Sequence, residues 1–342
     1  MQNRSHITYK KAGVDIFKAD AFKHKIKELA KRSFSAGVLM DIGGFGSLFR
    51  FNKKEYKEPV LVSSCDGVGT KLIIAQLMDK HDTVGIDLVA MNVNDILCLG
   101  ARPLFFLDYI ACGRLNPEVL TEIIKGINKG CMSSGCSLIG GETAQMPGMY
   151  GPSEYDLAGF CVGVVEKCDI INGSNIKVGD MVIGLESNGL HSNGFSLVRK
   201  VLSRNELKRM HRELLRPTRI YVKPLLHLLQ TCQANRLAAK ITGIAHITGG
   251  AFYDKIARIL PASLDAVINK GSWRVPAIFR LIQNKAGIGD KEMYHTFNMG
   301  IGMVLIVRPE IVNLVRSELS RFDLRSWVIG EIIKGRKEVN II

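Results

Sequence analysis

Five glycine clusters, each carrying a polar or charged side chain, set the tightest limit on how this chain folds. They are Gly43-Gly-Phe-Gly46, Asp66-Gly-Val-Gly-Thr-Lys71, Gly140-Gly-Glu-Thr143, Gly189-Leu-His-Ser-Asn-Gly194 and His246-Ile-Thr-Gly-Gly250. Backbone N–H groups approach an anion closely only where no Cβ stands in the way, and a helix N-terminus adds partial positive charge. Turns of this kind belong at strand-to-helix junctions, where they can cradle phosphate. Asp66–Lys71 has that context, with a short β-branched run at 59–65 before it and a helix after it. It is neither G-x-G-x-x-G nor a Walker A sequence.

The segments between the clusters alternate helical and strand periods. Residues 19–34 place Phe22, Ile26, Leu29 and Ala30 on one helical stripe, with Lys23, Lys27 and Lys31 off it. Residues 83–99 read as a helix stopped by Gly100, and Asn116 and Pro117 open another as N-cap and first helical residue. Strands are expected at 59–65, 104–111, 136–139 and 155–165. A turn-rich stretch at 166–180 marks a boundary, dividing the chain into domains 1–170 and 171–342. The second half repeats the mixture: a strand opening at Val178, helices at 194–202, 217–231, 251–259, 275–286 and 309–320, and strands at 264–268, 300–307 and 327–333. At 342 residues there is chain for two cores. The expected fold is a two-domain α/β (α+β) arrangement with mixed sheets.

Acidic side chains beside the glycines carry the chemistry. In the helix at 83–99, Asp87, Asn94 and Asp95 share one arc of an otherwise apolar cylinder. A carboxylate there must be paired or bound to a metal, and both readings stay open. With Asp66 and Glu142 in glycine turns, three carboxylates can converge on a hard cation. Facing a triphosphate they would need one, because a like-charge pair at ~4 Å costs about 4 kcal/mol at an effective dielectric of 20. Mg2+ bridging carboxylate and phosphate is the expected solution. His191 and His246, in glycine-flanked loops, are candidates for acid–base work or substrate binding.

Several classes fall away. The eight cysteines form no C-x-x-C pair and most sit in apolar strings, which argues for reduced thiols and against zinc or a disulfide framework. No apolar run approaches the ~20 residues of a membrane span, and residues 1–6 have no apolar leader, so a cytoplasmic protein is expected. The net charge of +14 draws polyanions, yet aromatic residues are only 7% and the basic residues alternate with apolar and acidic ones. No stacking platform for single-stranded nucleic acid results.

Longer motifs go further. Tyr9-Lys-Lys-Ala-Gly-Val-Asp-Ile16, Gly43-Gly-Phe-Gly46, the stretch from Pro59 to Lys71, Gly85-Ile-Asp-Leu-Val-Ala-Met-Asn-Val-Asn-Asp95, Gly140-Gly-Glu-Thr-Ala-Gln-Met-Pro-Gly-Met-Tyr150, His191-Ser-Asn-Gly-Phe-Ser-Leu-Val-Arg199 and His246-Ile-Thr-Gly-Gly250 resemble the aminoimidazole ribonucleotide synthetase family. The resemblance runs from about residue 8 to 334. It implies an ATP-dependent ligase of purine (IMP) biosynthesis that closes the imidazole ring of formylglycinamidine ribonucleotide. It also implies Mg2+, and a homodimer whose N-terminal sheets pair into a barrel beside the ATP site, the C-terminal domain closing the cleft. No membrane or nucleic-acid partner is expected.

Carried over by position, the resemblance makes Lys27, Asp95, His191 and His246 the catalytic set. Asp66, Asp95 and Glu142 would hold the metal. The nucleotide would meet Gly43, Gly44, Gly46, Asp66, Gly67, Gly69, Thr70, Lys71, Asp95, Gly140, Gly141 and Glu142. The substrate would meet Ser192, Asn193, Gly194, Thr218, Arg219, Thr248 and Gly249. Two stretches depart from the family pattern: the short basic segment 203–214, and Ser64-Cys65 where a small residue and threonine are usual. A selenophosphate synthetase-like enzyme would carry a cysteine near the N-terminus, and residues 1–14 have none. A basic nucleic-acid-binding protein is the alternative from another class.

Overall fold

The computed structural model describes residues 25–342. The Phe22 end of the first stripe and the Tyr9–Ile16 motif lie outside the described residues. Helical residues 25–30 (α1) run into a 3-10 turn at Lys31–Ser33. The first half continues as β1 (Pro59–Gly67), α2 (Lys71–Met78), α3 (Val84–Leu97), β2 (Arg102–Cys112), α4 (Pro117–Ser134), β3 (Ser137–Gln145) and β4 (Tyr155–Glu166). Its four strands form one sheet in the order β1-β4-β2-β3, antiparallel except for the β2·β3 pair. That parallel pair needs a crossover, and α4 supplies it. Asn116 Oδ1 caps α4 by accepting from the N–H groups of Glu118 (3.1 Å) and Val119 (3.4 Å), and Gly135 ends it at φ 70°.

Helix α3 is buried almost all round, between the sheet, α4 and the second half of the chain. It crosses α4 at Gly85 and Gly126. A Cβ on Gly85 would stand 2.2 Å from the Ile123 carbonyl oxygen, so the crossing closes only with glycine there. The sheet's other face stays open: Val62 is buried, whereas Leu61 is 67% and Phe160 41% exposed. This alternation marks a sheet packed on one side.

The second half holds β5 (Met181–Glu186), α5 (Phe195–Val201), α6 (Arg204–Arg209), α7 (His211–Leu214), α8 (Val222–Ala234), β6 (Ile241–His246), α9 (Ala251–Ile259), β7 (Leu264–Ile268), α10 (Ala277–Ala286), α11 (Asp290–Thr296), β8 (Ile301–Val307), α12 (Val312–Ser320), β9 (Ser326–Lys334) and β10 (Val339–Ile341). Its six strands take the order β10-β7-β9-β5-β8-β6, parallel only at β10·β7. The mixed α/β content in two sheets matches the expected class.

Several expectations shift, among them the strand expected to open at Val178, which starts at Met181. The helix expected from 217 starts at Val222; the Thr218 and Tyr221 N–H groups before it bond Asp87 Oδ1 and Asn94 Oδ1. The sequence gives no expectation of β6, because Gly243 and Ala245 interrupt its β-branched residues Ile241, Thr242 and Ile244. All eight cysteines are unpaired thiols, and no helix among the described residues is long and apolar enough to cross a membrane.

Candidate active site

Strand β1 delivers Asp66 at its end, and the turn behind it passes Gly69 at φ 73° with open space where a Cβ would stand. Asp66 Oδ1 accepts from the Gly67 N–H at 2.8 Å. Burial pushes the Asp66 carboxyl above its ordinary range; that hydrogen bond opposes the shift and nearby Asp95 adds to it. His246 and Lys255 pull the other way. One cluster therefore draws on β1, the last turn of α3, the end of β6, and α9.

Within it, Asp95 and His246 form a pair. Asp95 Oδ1 accepts from His246 Nδ1 at 2.8 Å, with the imidazole 2% and the carboxylate 43% exposed as side chains. Asn94 Nδ2, which donates to the Arg219 carbonyl at 2.8 Å, also lies 3.4 Å from His246 Nε2. A donor facing Nε2 leaves the proton on Nδ1, where it holds Asp95. A half-exposed carboxylate is thus fixed from behind by a buried ring that spans the two halves of the chain.

Lys71 corrects the expectation of a phosphate contact. Its side chain is fully buried, and its ammonium donates to Asp87 Oδ1 (3.0 Å), the His191 carbonyl (2.9 Å) and the Arg216 carbonyl (2.8 Å), with Asp87 Oδ2 at 2.8 Å. Three donors meet three protein partners. Desolvation drives the Lys71 ammonium below its usual range, and Asp87 opposes that shift. Of the two readings open for a carboxylate on this helix, Asp87 takes the paired one.

The same carboxylate corrects two expected substrate contacts. Asp87 Oδ1 accepts from the Thr218 N–H (2.7 Å), the Thr218 hydroxyl (2.7 Å) and the Ser192 hydroxyl (3.1 Å). Ser192 and Thr218 are buried, so both hydroxyls serve this hub instead of an open site. Asp87, part of the polar arc of α3, is the organising residue here, a role that its spacing alone does not reveal.

His191 departs in the same direction. It is 1% exposed at φ 61°, and its Nε2 accepts from the N–H groups of Asn188 (3.0 Å) and Arg219 (3.4 Å). The proton then sits on Nδ1, which has no partner. A Cβ on Gly302 of β8 would stand 2.4 Å from His191 Cε1, so the ring packs on the second sheet. Desolvation, with the positive charge of Lys71 and Arg219 behind it, holds this imidazole well below its ordinary range and neutral. Asn193 is different: its buried Nδ2 has no partner, and its Oδ1 lies beside Gly249 of the 246–250 turn. Asn193, Thr248 and Gly249 therefore share one corner. Gly194 at φ 78° packs against Phe297, which leaves no room for a side chain. Arg219 ties to Asn188 Oδ1 (3.0 Å) and Glu186 (3.5 Å). Thr70 reaches across to Ser196, its hydroxyl 3.1 Å from that of Ser196.

The remaining candidates gather at the other edge of the first sheet. Lys27 pairs with Asp41 at 3.1 Å just before Gly43-Gly-Phe-Gly46. Ser47, just after Gly43, Gly44 and Gly46, donates to the Ile139 carbonyl at 2.6 Å and lies against Gly140. Glu142 and Gly141 are on β3. The register runs Asp66–Gly159–Asp108–Gly141 across all four strands, so Asp66 and β3 are three strand spacings apart, about 14 Å. Glu142 does not join Asp66 and Asp95 within one chain. Among the described residues no three His, Cys, Asp or Glu side chains form a metal-binding group. Asp66 and Asp95 still fit a Mg2+, which is held by one or two carboxylates with phosphate and water completing its shell; the mutual repulsion of two carboxylates is what such a cation relieves.

The fold places the chain among two-domain proteins that share this pair of sheets. Thiamine-monophosphate kinase from Stenotrophomonas maltophilia superposes with a TM-score of 0.65 over 92% of this chain and 94% of that one, at 16% identity. The hydrogenase maturation protein HypE, solved in complex with ATP, gives 0.66 over 93% and 90%, at 13% identity. Residues 50–165 match the N-terminal domain and residues 177–342 the C-terminal domain of the AIR synthase related proteins. The phosphoribosylformylglycinamidine cyclo-ligases of Pseudothermotoga lettingae and Caldicellulosiruptor bescii are 55% and 53% identical to it. Those alignments cover 98% and 97% of this chain, and 99% and 98% of the relatives. The chain belongs to the AIR synthase family.

Proposed function

We propose that this chain converts formylglycinamidine ribonucleotide and ATP into aminoimidazole ribonucleotide, ADP and phosphate, a ring-closing step of purine synthesis in the cytoplasm. Relatives that match nearly end to end at 50–55% identity support the reaction. The observation that carries the site is Asp95, half exposed, pinned by buried His246 and set beside Asp66 at a glycine turn.

The chemistry has a simple logic. The formamide oxygen attacks the γ-phosphorus of ATP and ADP leaves. The amidine nitrogen then attacks the formyl carbon, loses a proton, and the bound oxygen departs as phosphate. Expelling hydroxide instead would meet a much higher barrier. Asp66 and Asp95 are the residues that would hold Mg2+, which when bound offsets phosphate charge. His246 acts as a positioning residue, keeping the Asp95 carboxylate aimed. Asn193 Nδ2, a buried donor in want of an acceptor, suits a substrate oxygen at the corner formed with Thr248 and Gly249.

The open sheet face supports a homodimer. Leu61 and Phe160 are the kind of apolar patch a partner covers. Pairing two such faces into a barrel would bring the β3-edge group of one protomer (Lys27, Gly43, Gly44, Gly46, Gly140, Gly141 and Glu142) toward the partner's Asp66 and Asp95. The nucleotide site would then be shared.

The deciding experiment incubates the purified chain with ATP, Mg2+ and formylglycinamidine ribonucleotide and looks for the aminoimidazole product. ADP release without that product would overturn the reading. Sharing is tested separately by mixing inactive Lys27→Ala and Asp95→Ala chains. Random re-pairing gives one intact site in half the dimers if sites are shared, so activity should return to about a quarter of wild type. No recovery after verified subunit exchange would place both residues in one protomer's site.

A further inference from the structure

Helix α4 has an exposed face whose residues are not part of the Asp95 site, and that face carries a second candidate pocket. Lys125, Asn128, Lys129 and Met132 are spaced i, i+3, i+4 and i+7, which aligns them on one side of the helix. Arg32, following α1, and Lys223, in the first turn of α8, face them across a cavity of about 430 Å³. None of these four cations has an acidic partner among the described residues, whereas Lys27, Lys31, Lys80 and Lys167 all do. Four unpaired positive charges around one cavity repel one another, and part of the unexplained +14 is concentrated here.

A second observation is independent of charge. Asn128 is 5% exposed, its Oδ1 is buried with no hydrogen-bond partner, and its Nδ2 reaches only Met132 Sδ at 3.5 Å. A buried amide oxygen left without a donor costs about 1–3 kcal/mol, and native proteins rarely leave one so. Asn128 lines the cavity, and its Oδ1 is an acceptor; the missing group is an O–H or N–H. Met132, 49% exposed, supplies an apolar wall.

We infer that this pocket binds a small organic phosphate bearing hydroxyl donors, of the sugar-phosphate or ribonucleotide class. The phosphate dianion answers Arg32, Lys125, Lys129 and Lys223; a sugar hydroxyl answers Asn128 Oδ1; the carbon skeleton lies on Met132. The volume is in the range of small-molecule sites. Nothing in this assignment depends on the reaction proposed for the Asp95 site.

The test is read at the pocket itself. The full chain is labelled with 13C-methyl methionine, the Met132 signal is assigned by its loss in Met132→Leu, and ribose 5-phosphate, inorganic phosphate and ribose are titrated in turn. Ribose 5-phosphate should move the Met132 methyl saturably and more tightly than inorganic phosphate, and ribose alone should leave it in place. The Lys125→Glu/Lys129→Glu variant should weaken binding roughly tenfold or more, and added salt should weaken the wild type. Asn128→Leu should lower the affinity for ribose 5-phosphate to that for inorganic phosphate. The remaining methionine signals and turnover should stay unchanged in both variants, which shows them folded. A Met132 signal that never moves, affinity indifferent to charge reversal or to salt, or equal affinity for phosphate and its sugar ester would overturn the proposal.

Discussion

Breaking the buried Lys71–Asp87 pair tests how the two halves of the chain are held together. Asp87→Asn keeps an acceptor for Thr218 and Ser192 but removes the charge, leaving the Lys71 ammonium fully buried with two backbone carbonyls. Losing one partner of a buried ion pair costs about 3–5 kcal/mol, because the other charge remains in a low dielectric. Native stability is of the order of 5–15 kcal/mol, so the single variant should be visibly fragile. Lys71→Met loses the same pair from the other side and leaves Asp87 with three hydrogen-bond donors. The double variant removes both charges, and should recover about 2–3 kcal/mol against the sum of the singles. Urea unfolding followed by fluorescence and by turnover reads all four corners of this cycle. An Asp87→Asn protein within about 1 kcal/mol of wild type, or a double variant equal to the sum of the singles, would refute the view that this pair is a dry, charge-dependent joint.

Other outcomes follow from residues already placed. Asp95→Ala should abolish turnover with little change in unfolding midpoint, since its carboxylate is half exposed; near-normal ADP release would remove it from the site. Excess EDTA should stop the reaction and Mg2+ should restore it, and turnover indifferent to chelator would refute a bridging cation. Burial raises the Asp108 carboxyl to about 7, with Glu142 adding to the shift. The folded state therefore holds a proton that the unfolded chain has released, and this group costs stability progressively from about pH 4 up to 7. Asp108→Asn should remove that decline, and a pH–stability profile parallel to wild type would contradict the assignment. Leu61→Asp together with Phe160→Asp should yield a monomer by light scattering, and an undisturbed dimer would count against the open sheet face as the interface.

The sequence made the fold legible where local chemistry is strong. Asn116-Pro117 opens α4 as a cap does, and the apolar cylinder of α3 announced its burial. It was less informative where a side chain's partner arrives from far along the chain. Lys71 in a glycine turn reads as a phosphate ligand; only the approach of the 187–219 segment turns it inward. Ser192 and Thr218 look like substrate contacts for the same reason, and Asp87 looked like either half of an alternative. Glu142 resembles Asp66 as a carboxylate in a glycine turn, and sheet order alone separates it from Asp66 and Asp95. Asp95 and His246 share a catalytic set only through the family resemblance; the hydrogen bond that joins the last turn of α3 to the end of β6 is not legible in motif spacing.

The Lys71–Asp87 joint also bears on how the chain is made. Asp87 and Thr218 are 131 positions apart, and the carbonyls of His191 and Arg216 arrive almost as late. At ~5–20 residues per second, a ribosome needs about 7–26 s to supply them once Asp87 has emerged. Only after β4 ends at Glu166 can the first sheet be complete, and from then until Thr218 emerges a nascent first half has its cation and carboxylate answered only by each other and by water. It is committed to a sheet but not yet to a dry interior, and it is then most exposed to proteases and to mispairing.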